Sequence, residues 1–218
     1  MNCRDRFVYT VMVSFGIGFC IWFTIVTWPA NPLGAYWQTQ PQLHTLFHPK
    51  EAQAAARSDS SSVVGPPTIT AAFIDRVLIA YGSPAAGTGQ ALYDDGVSTG
   101  IDPVYALAFF LHEDSFGTTG IGAANHSLGN IRCSAGYVCQ DGFRSYSTWE
   151  GSYHDWYHLI LDGYVEGQVT DAIVGHPCST VAQIVPVYAP SSDGNDEAAY
   201  IAAVEHAVAT WRAGRVQV

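Results

Sequence analysis

The chain has 218 residues, enough for one good-sized domain plus accessory segments, and carries nine Lys and Arg against nineteen Asp and Glu, a formal net charge of −10. From Thr68 onward there are five Arg, no Lys and sixteen acidic residues, about −11. That balance argues against partners gripped through phosphate contacts, nucleic acid and teichoic acid included.

Arg4 and Arg6 precede residues 7–28, a run of about 22 residues without a charge, which matches the length of a helix that crosses a bilayer. The positive flank predicts an N-terminus (1–6) on the cytoplasmic side and an exported remainder. A cleavable signal normally has a shorter apolar core and small residues at its cleavage site. Trp28-Pro29-Ala30 fits that poorly and Leu33-Gly34-Ala35 falls late, so the expectation is an uncleaved anchor, with a secreted product if cleavage occurs. Residues 29–67 are rich in Ala, Ser, Gln and Pro without a sustained hydrophobic period and read as a flexible linker. The folded domain is expected over 68–214.

Within it, Ile69, Phe73, Val77 and Tyr81 recur at i, i+4 spacing and predict an amphipathic helix. GSPAAGTGQ is a loop, and residues 91–97 form a short helix ended by Gly100. The next helix is almost wholly apolar: Asp102 is its N-cap, Pro103 suits its first position, and Leu107, Phe110 and Leu111 keep core spacing. Glu113 closes it. A carboxyl held against Phe109, Phe110 and Phe116 is partly desolvated, which raises its pKa towards that of a general acid. On pattern alone, an exposed glutamate near a helix end is the competing reading. The glycine-rich stretch 117–129 lacks the Gly-Lys-Ser/Thr ending of a phosphate loop.

Exported cysteines occupy an environment that permits disulfides; Cys133 and Cys139 close a short loop and are the expected pair, which leaves Cys178 unassigned. Residues 131–146 are read as a short hairpin. No metal site is expected, because His112-Glu113 lacks the second His of the metalloprotease motif and the other histidines are scattered. Ser147-Thr148-Trp149-Glu150 fits a capping box, giving Glu150 a structural task, and opens a helix carrying Trp149, Tyr153, Trp156, Tyr157 and Ile160. Ser179 starts a further helix, limited by Pro186 and Pro190. After the loop YAPSSDGND, Tyr200, Ile201, Val204, Val208 and Trp211 line one face of a closing helix. The fold class is mainly α.

The strings ITAAFIDRVL, GSPAAGTG, GIDPVYALAFFLHEDSFG, NHSLGNIR, FRSYSTWEGSYHDWYHLI and YAPSSDGNDEAAYIAAV, in that order, resemble glycoside hydrolase family 73, bacterial endo-β-N-acetylglucosaminidases of the lysozyme-like superfamily. The likeness covers about residues 68–211. It implies an α+β lysozyme-like fold, a helical lobe and a small loop or hairpin lobe flanking a glycan groove. It also implies hydrolysis of the β-1,4 bond after N-acetylglucosamine in peptidoglycan, without a cofactor and with Glu113 as proton donor. The groove would be lined by residues 125–132, including Asn130, and by Tyr146, Trp149 and Tyr188. A largely neutral glycan held by rings and hydrogen bonds is compatible with an acidic surface.

The residues support these roles unequally. Asn130 in its loop suits an acetamido contact or an Asx-turn; Trp149 suits a sugar face or the core; Tyr146 and Tyr188 share that ambiguity. Asp114 departs from the family, which has a small hydroxyl residue there. Adjacent side chains at a helix end diverge, so Asp114 is expected to be exposed. A second acid is not selected by sequence: Asp141, beside the cysteine loop, is the first candidate, Asp155 is expected to face solvent, and a route through the substrate's own acetamido oxygen needs no protein base. A muramidase or lytic transglycosylase on the same scaffold, or a non-catalytic wall-binding module, remain as alternatives.

Overall fold

A computed structural model of the chain describes residues 61–167, 174 and 176–218. The expected cytoplasmic N-terminus, the membrane segment 7–28 and the linker up to residue 60 lie outside the described residues. Helices α1 (Ala71–Ala80), α2 (Gly89–Thr99), α3 (Pro103–Asp114) and the single turn α4 (Gly122–Asn125) precede a hairpin of β1 (Cys139–Gln140) and β2 (Phe143–Arg144). After it come α5 (Trp149–Ile160), continued by a π-helical turn (Leu161–Val165), then α6 (Val181–Tyr188), a 3-10 turn (Ser191–Asp193) and α7 (Glu197–Arg212). The fold is mainly α, as expected, and the one small sheet among the described residues is that antiparallel hairpin.

α3 is the centre. Every residue from Pro103 to Phe110 is buried, as befits a helix apolar on all sides. Phe110 stacks on Tyr153 of α5 at 5.8 Å, Phe109 meets Trp156 at 5.4 Å, and α7 lies along another side of α3. Asp102, 2 % exposed, does more than cap α3 at the Val104 N–H. Its carboxylate also accepts from the Thr68 N–H (3.0 Å) and hydroxyl (2.6 Å) and pairs with Arg212 at 3.0 Å. One buried charge thus joins the start of the domain, the central helix and the closing helix.

Two expected boundaries move. The fold begins before Thr68: the Val63 N–H donates to Ser179 O (2.7 Å), the Asp102 N–H donates to Val63 O (2.9 Å), and Val63 is fully buried. A valine inside a proline- and serine-rich stretch, invisible to periodicity, anchors that strap. The fold also runs past residue 214, because Trp211 Nε1 donates to Val216 O and the Val218 N–H donates to the Tyr81 hydroxyl.

Two helix starts move as well. Thr148, not Ser147, caps α5, through the Gly151 N–H, so exposed Glu150 falls in the first turn instead of closing a box. At α6 the cap is Thr180, whose N–H donates to Gln183 Oε1 at 3.2 Å. Pro186 lies inside α6 rather than ending it, since the Ala189 N–H still reaches across it to Val185 O at 2.9 Å.

Asp102→Ala is expected to destabilise the domain by about 2–4 kcal/mol, because it strips a cap and leaves Arg212 without its buried partner. Urea unfolding checks this, and a loss below about 1 kcal/mol would contradict the linking role.

Candidate functional site

A cleft of about 690 Å³ opens between the hairpin lobe and the segment after α6. Its walls include Glu113, Asn130, Arg132, Arg144, Tyr188 and Asp193. Glu113 sits in the last turn of α3, and its Oε1 accepts a 2.6 Å hydrogen bond from the Tyr200 hydroxyl. The Tyr200 ring is itself fixed: it stacks on His112 at 3.8 Å and leans on Phe109 at 5.6 Å. Burial pushes the Glu113 carboxyl above its ordinary value, while hydrogen bonds from Tyr200 and the Asn130 side chain pull the other way. The group is desolvated, partnered and still open to the cleft, the combination a proton donor requires.

The chain must turn sharply after Glu113. Ser115 caps α3 in the left-handed region (φ 53°), and Phe116 comes next at φ 60°, a costly conformation for a bulky residue. It is held there because Phe116 is fully buried, with its ring edge-on to Tyr81 at 5.2 Å and its carbonyl accepting from the Ser83 hydroxyl at 2.8 Å. Asn130, also left-handed (φ 43°), donates its Nδ2 to the Glu113 carbonyl at 3.2 Å. It thereby satisfies one of the carbonyls a helix end leaves open. Its own Oδ1 is buried without a partner.

Tyr188 lines the cleft. Its hydroxyl donates to Gly129 O and accepts from Trp156 Nε1 at 3.2 Å. Tyr164, carried in by the π-helical turn, lines the cleft as well and approaches Tyr188 at 6.4 Å. Neither Tyr164 nor Tyr200 stands out in the sequence as a site residue. Tyr200 has the spacing of one more core position of α7, and the π-turn leaves no periodic mark.

Three expected site residues do not line this cleft. Trp149 packs against the glycine-rich loop, where a Cβ on Gly117 would stand 2.8 Å from its ring and His126 meets it edge-on at 4.9 Å. Tyr146 spends its hydroxyl on Asp155. Asp141 is an exposed turn residue (φ 51°) at the hairpin tip, with Gly142 next at φ 85°, the Asp-Gly pattern of a tight hairpin; its reason for being there is the turn.

Asp155 does not face solvent either: Arg144 Nη1 bonds both its oxygens at 2.9 Å. The Arg144 Nη2 donates to Ser134 Oγ at 2.7 Å, and its guanidinium lies 3.5 Å from the Tyr137 ring centre. The expected Cys133–Cys139 disulfide, with Cα atoms 5.7 Å apart, closes the loop that wraps this arginine. Among the described residues no cluster of His, Cys, Asp and Glu has the makings of a metal site.

Asp114 reverses its expectation. It is 3 % exposed, with Oδ1 accepting from the Gly117 N–H at 2.8 Å and Oδ2 buried without a partner. The left-handed turn folds the loop back over it. Gly122 is needed there, since a Cβ would collide with Asp114 Oδ2 and stand 2.6 Å from Ser127 O. Burial drives the Asp114 carboxyl from 3.8 up to about 8, against the Gly117 N–H and with help from the Glu113 charge. A neutral acid therefore lies beside Glu113 at neutral pH.

No family profile matches the chain, and no curated protein matches it.

Because the folded Asp114 pKa of about 8 exceeds its ordinary 3.8, its contribution to stability is complete below about pH 4 and is lost as pH rises to about 8. Asp114→Asn is expected to flatten that part of the stability–pH curve in denaturant titrations. An unchanged slope would mean the carboxyl is ionised in the fold.

Proposed function

We propose that the protein is a peptidoglycan hydrolase that cleaves the β-1,4 bond after N-acetylglucosamine, with Glu113 as general acid. On this reading the domain lies outside the cell membrane, tethered by residues 7–28. The observation that carries it is the Glu113 carboxyl in the wall of an open cleft, its pKa raised by burial and its Oε1 bonded by the Tyr200 hydroxyl. The order of sequence strings supplies the substrate class, and the mainly α fold with a disulfide-closed hairpin lobe beside the cleft agrees with it.

In this mechanism the protonated carboxyl gives its proton to the glycosidic oxygen as the bond to the anomeric carbon breaks, so the leaving sugar departs neutral. The resulting carboxylate is stabilised by the Tyr200 hydroxyl, whose bond strengthens as charge develops on Oε1. The anomeric carbon is then captured by the neighbouring acetamido oxygen or by water, and water completes the hydrolysis. Asp193 is the other carboxylate among the described residues that line the cleft, and Arg132 holds it at 2.9 Å. Asp141, out on the hairpin tip, is not carried forward as a second acid.

Glu113→Gln is expected to reduce clearance of purified cell wall by about 10²–10⁴-fold while binding and fold persist. Mass spectrometry of the wild-type digest is expected to find reducing N-acetylglucosamine. Reducing or anhydro N-acetylmuramic acid would instead make the protein a muramidase or a lytic transglycosylase, and undiminished clearance by the variant would remove Glu113 from the chemistry.

Tyr200→Phe keeps the ring against His112 but deletes a bond that favours the charged carboxylate, so the Glu113 pKa should rise. Activity requires the proton, and its alkaline limb in kcat/KM is therefore expected to move to higher pH. A limb that stays put or moves to lower pH would count against Tyr200 as the tuning group.

A further inference from the structure

The described domain is strongly acidic, yet two of its five arginines, Arg132 and Arg144, line the Glu113 cleft. The other three lie elsewhere: Arg212 on Asp102, Arg76 over the Phe73 ring, and Arg215 exposed near the C-terminus. Arg144 is committed, with both Asp155 oxygens, Ser134 and the Tyr137 ring on its guanidinium. Arg132 is not. Its side chain is 75 % exposed, and its contact is one Nη2 bond to Asp193 Oδ2 at 2.9 Å. A guanidinium has five donors in a fork that fits a carboxylate through two of them, so most of this one's capacity is unspent.

Arg132 is also well placed. It lies two residues beyond Asn130, which is bonded to the Glu113 carbonyl, and its backbone is bridged to Phe143 of the hairpin, so the chain on both sides is pinned to the cleft wall. Asp193 stands on the opposite wall, in the turn after α6. An exposed pair of this kind contributes little to stability, so exchanging one carboxylate for another costs the fold little. A cation in a cleft of an acidic protein focuses the local field on an anionic group.

We infer that Arg132 is a specificity residue that grips a carboxylate carried by the substrate, which takes the place of Asp193 on its guanidinium, so that the site selects acidic glycans over neutral ones. The inference rests on the glycan-cleaving reading and narrows its substrate class. The carboxylate could belong to the lactyl ether of a muramic acid or to an attached peptide; the shared chemistry is a carboxylate within reach of the sugar at the cleaved bond.

The test measures binding by calorimetry in full-length Glu113→Gln protein, which holds glycan without cutting it. Three probes are used: a neutral N-acetylglucosamine oligomer, glycan strands stripped of peptide with free lactyl carboxylates, and strands bearing peptides. At least one acidic probe is expected to bind about tenfold tighter than the neutral one, and the tighter of the two names the source of the carboxylate. Adding Arg132→Gln should erase that preference, with the neutral oligomer changing by less than about twofold. Adding Asp193→Asn should tighten the acidic probe, because the competing carboxylate is gone. A purely structural Arg132–Asp193 pair predicts no such gain. Equal losses for acidic and neutral probes on Arg132→Gln, a preference that survives it, or unchanged or weaker acidic binding on Asp193→Asn would each overturn the inference. Wall clearance by the wild-type protein is scored separately: clearance with a surviving preference removes the inference alone, whereas no clearance and no glycan binding remove both it and the function proposed above.

Discussion

Two contacts between α3 and α7 set the geometry on which the site depends. At one end the buried Asp102 carboxylate holds Arg212, and at the other Tyr200 holds Glu113, so the helices run in opposite directions with their register fixed twice. From Asp102 to Glu113 is about 16 Å of helix and from Tyr200 to Arg212 about 18 Å, at roughly 1.5 Å per residue. The lengths match, and the ion pair therefore delivers the Tyr200 hydroxyl to the acid. Thr68, bonded to the same Asp102 carboxylate, ties the start of the domain into that register. Glu113 is thus held by links between segments 87 and 110 residues apart as well as by its own loop.

The residues immediately after the acid add a second layer of constraint. The left-handed Ser115 and Phe116 reverse the chain at once, which places the glycine-rich loop over Asp114 and brings Asn130 back to the Glu113 carbonyl. The cost of that turn is met by burial of the Phe116 ring. A neutral Asp114 suits this arrangement: an ionised carboxylate with one unbonded, buried oxygen would lack a partner, and its charge would repel an ionised Glu113. The cleft wall, the acid and the neutral neighbour form one packed unit.

Much of the framework is legible in the sequence because it is written in local patterns. The Asp102-Pro103 start of α3, its apolar body, the amphipathic α1 and α7, the Gly100 stop and the six-residue Cys133–Cys139 spacing all act over a turn or two of chain, and the structure agrees with them. The features that escape a sequence reading depend on contacts between segments far apart in the chain. Asp155 reads as solvent-facing because its partner, Arg144, comes from the hairpin, and Asp114 reads as exposed because a left-handed turn at two non-glycine residues carries no sequence mark. Tyr200 shares a helix face with Val204 and Trp211, so nothing local separates a core tyrosine from one whose hydroxyl meets an acid 87 residues away. Aromatic residues next to a site motif are over-read for the same reason: Trp149 and Tyr146 serve the loop and the hairpin lobe.

The central claim is that the Glu113 carboxyl keeps its proton in the cleft to a higher pH than a free glutamate does. Direct titration of that group by carbon NMR, on protein labelled at the glutamate carboxyl carbons and assigned by Glu113→Gln, measures it without reference to any substrate. The account predicts a midpoint clearly above the ordinary 4.5. A midpoint at or below that value would show a solvated or charge-stabilised carboxylate, and the assignment of Glu113 as the proton donor would fail.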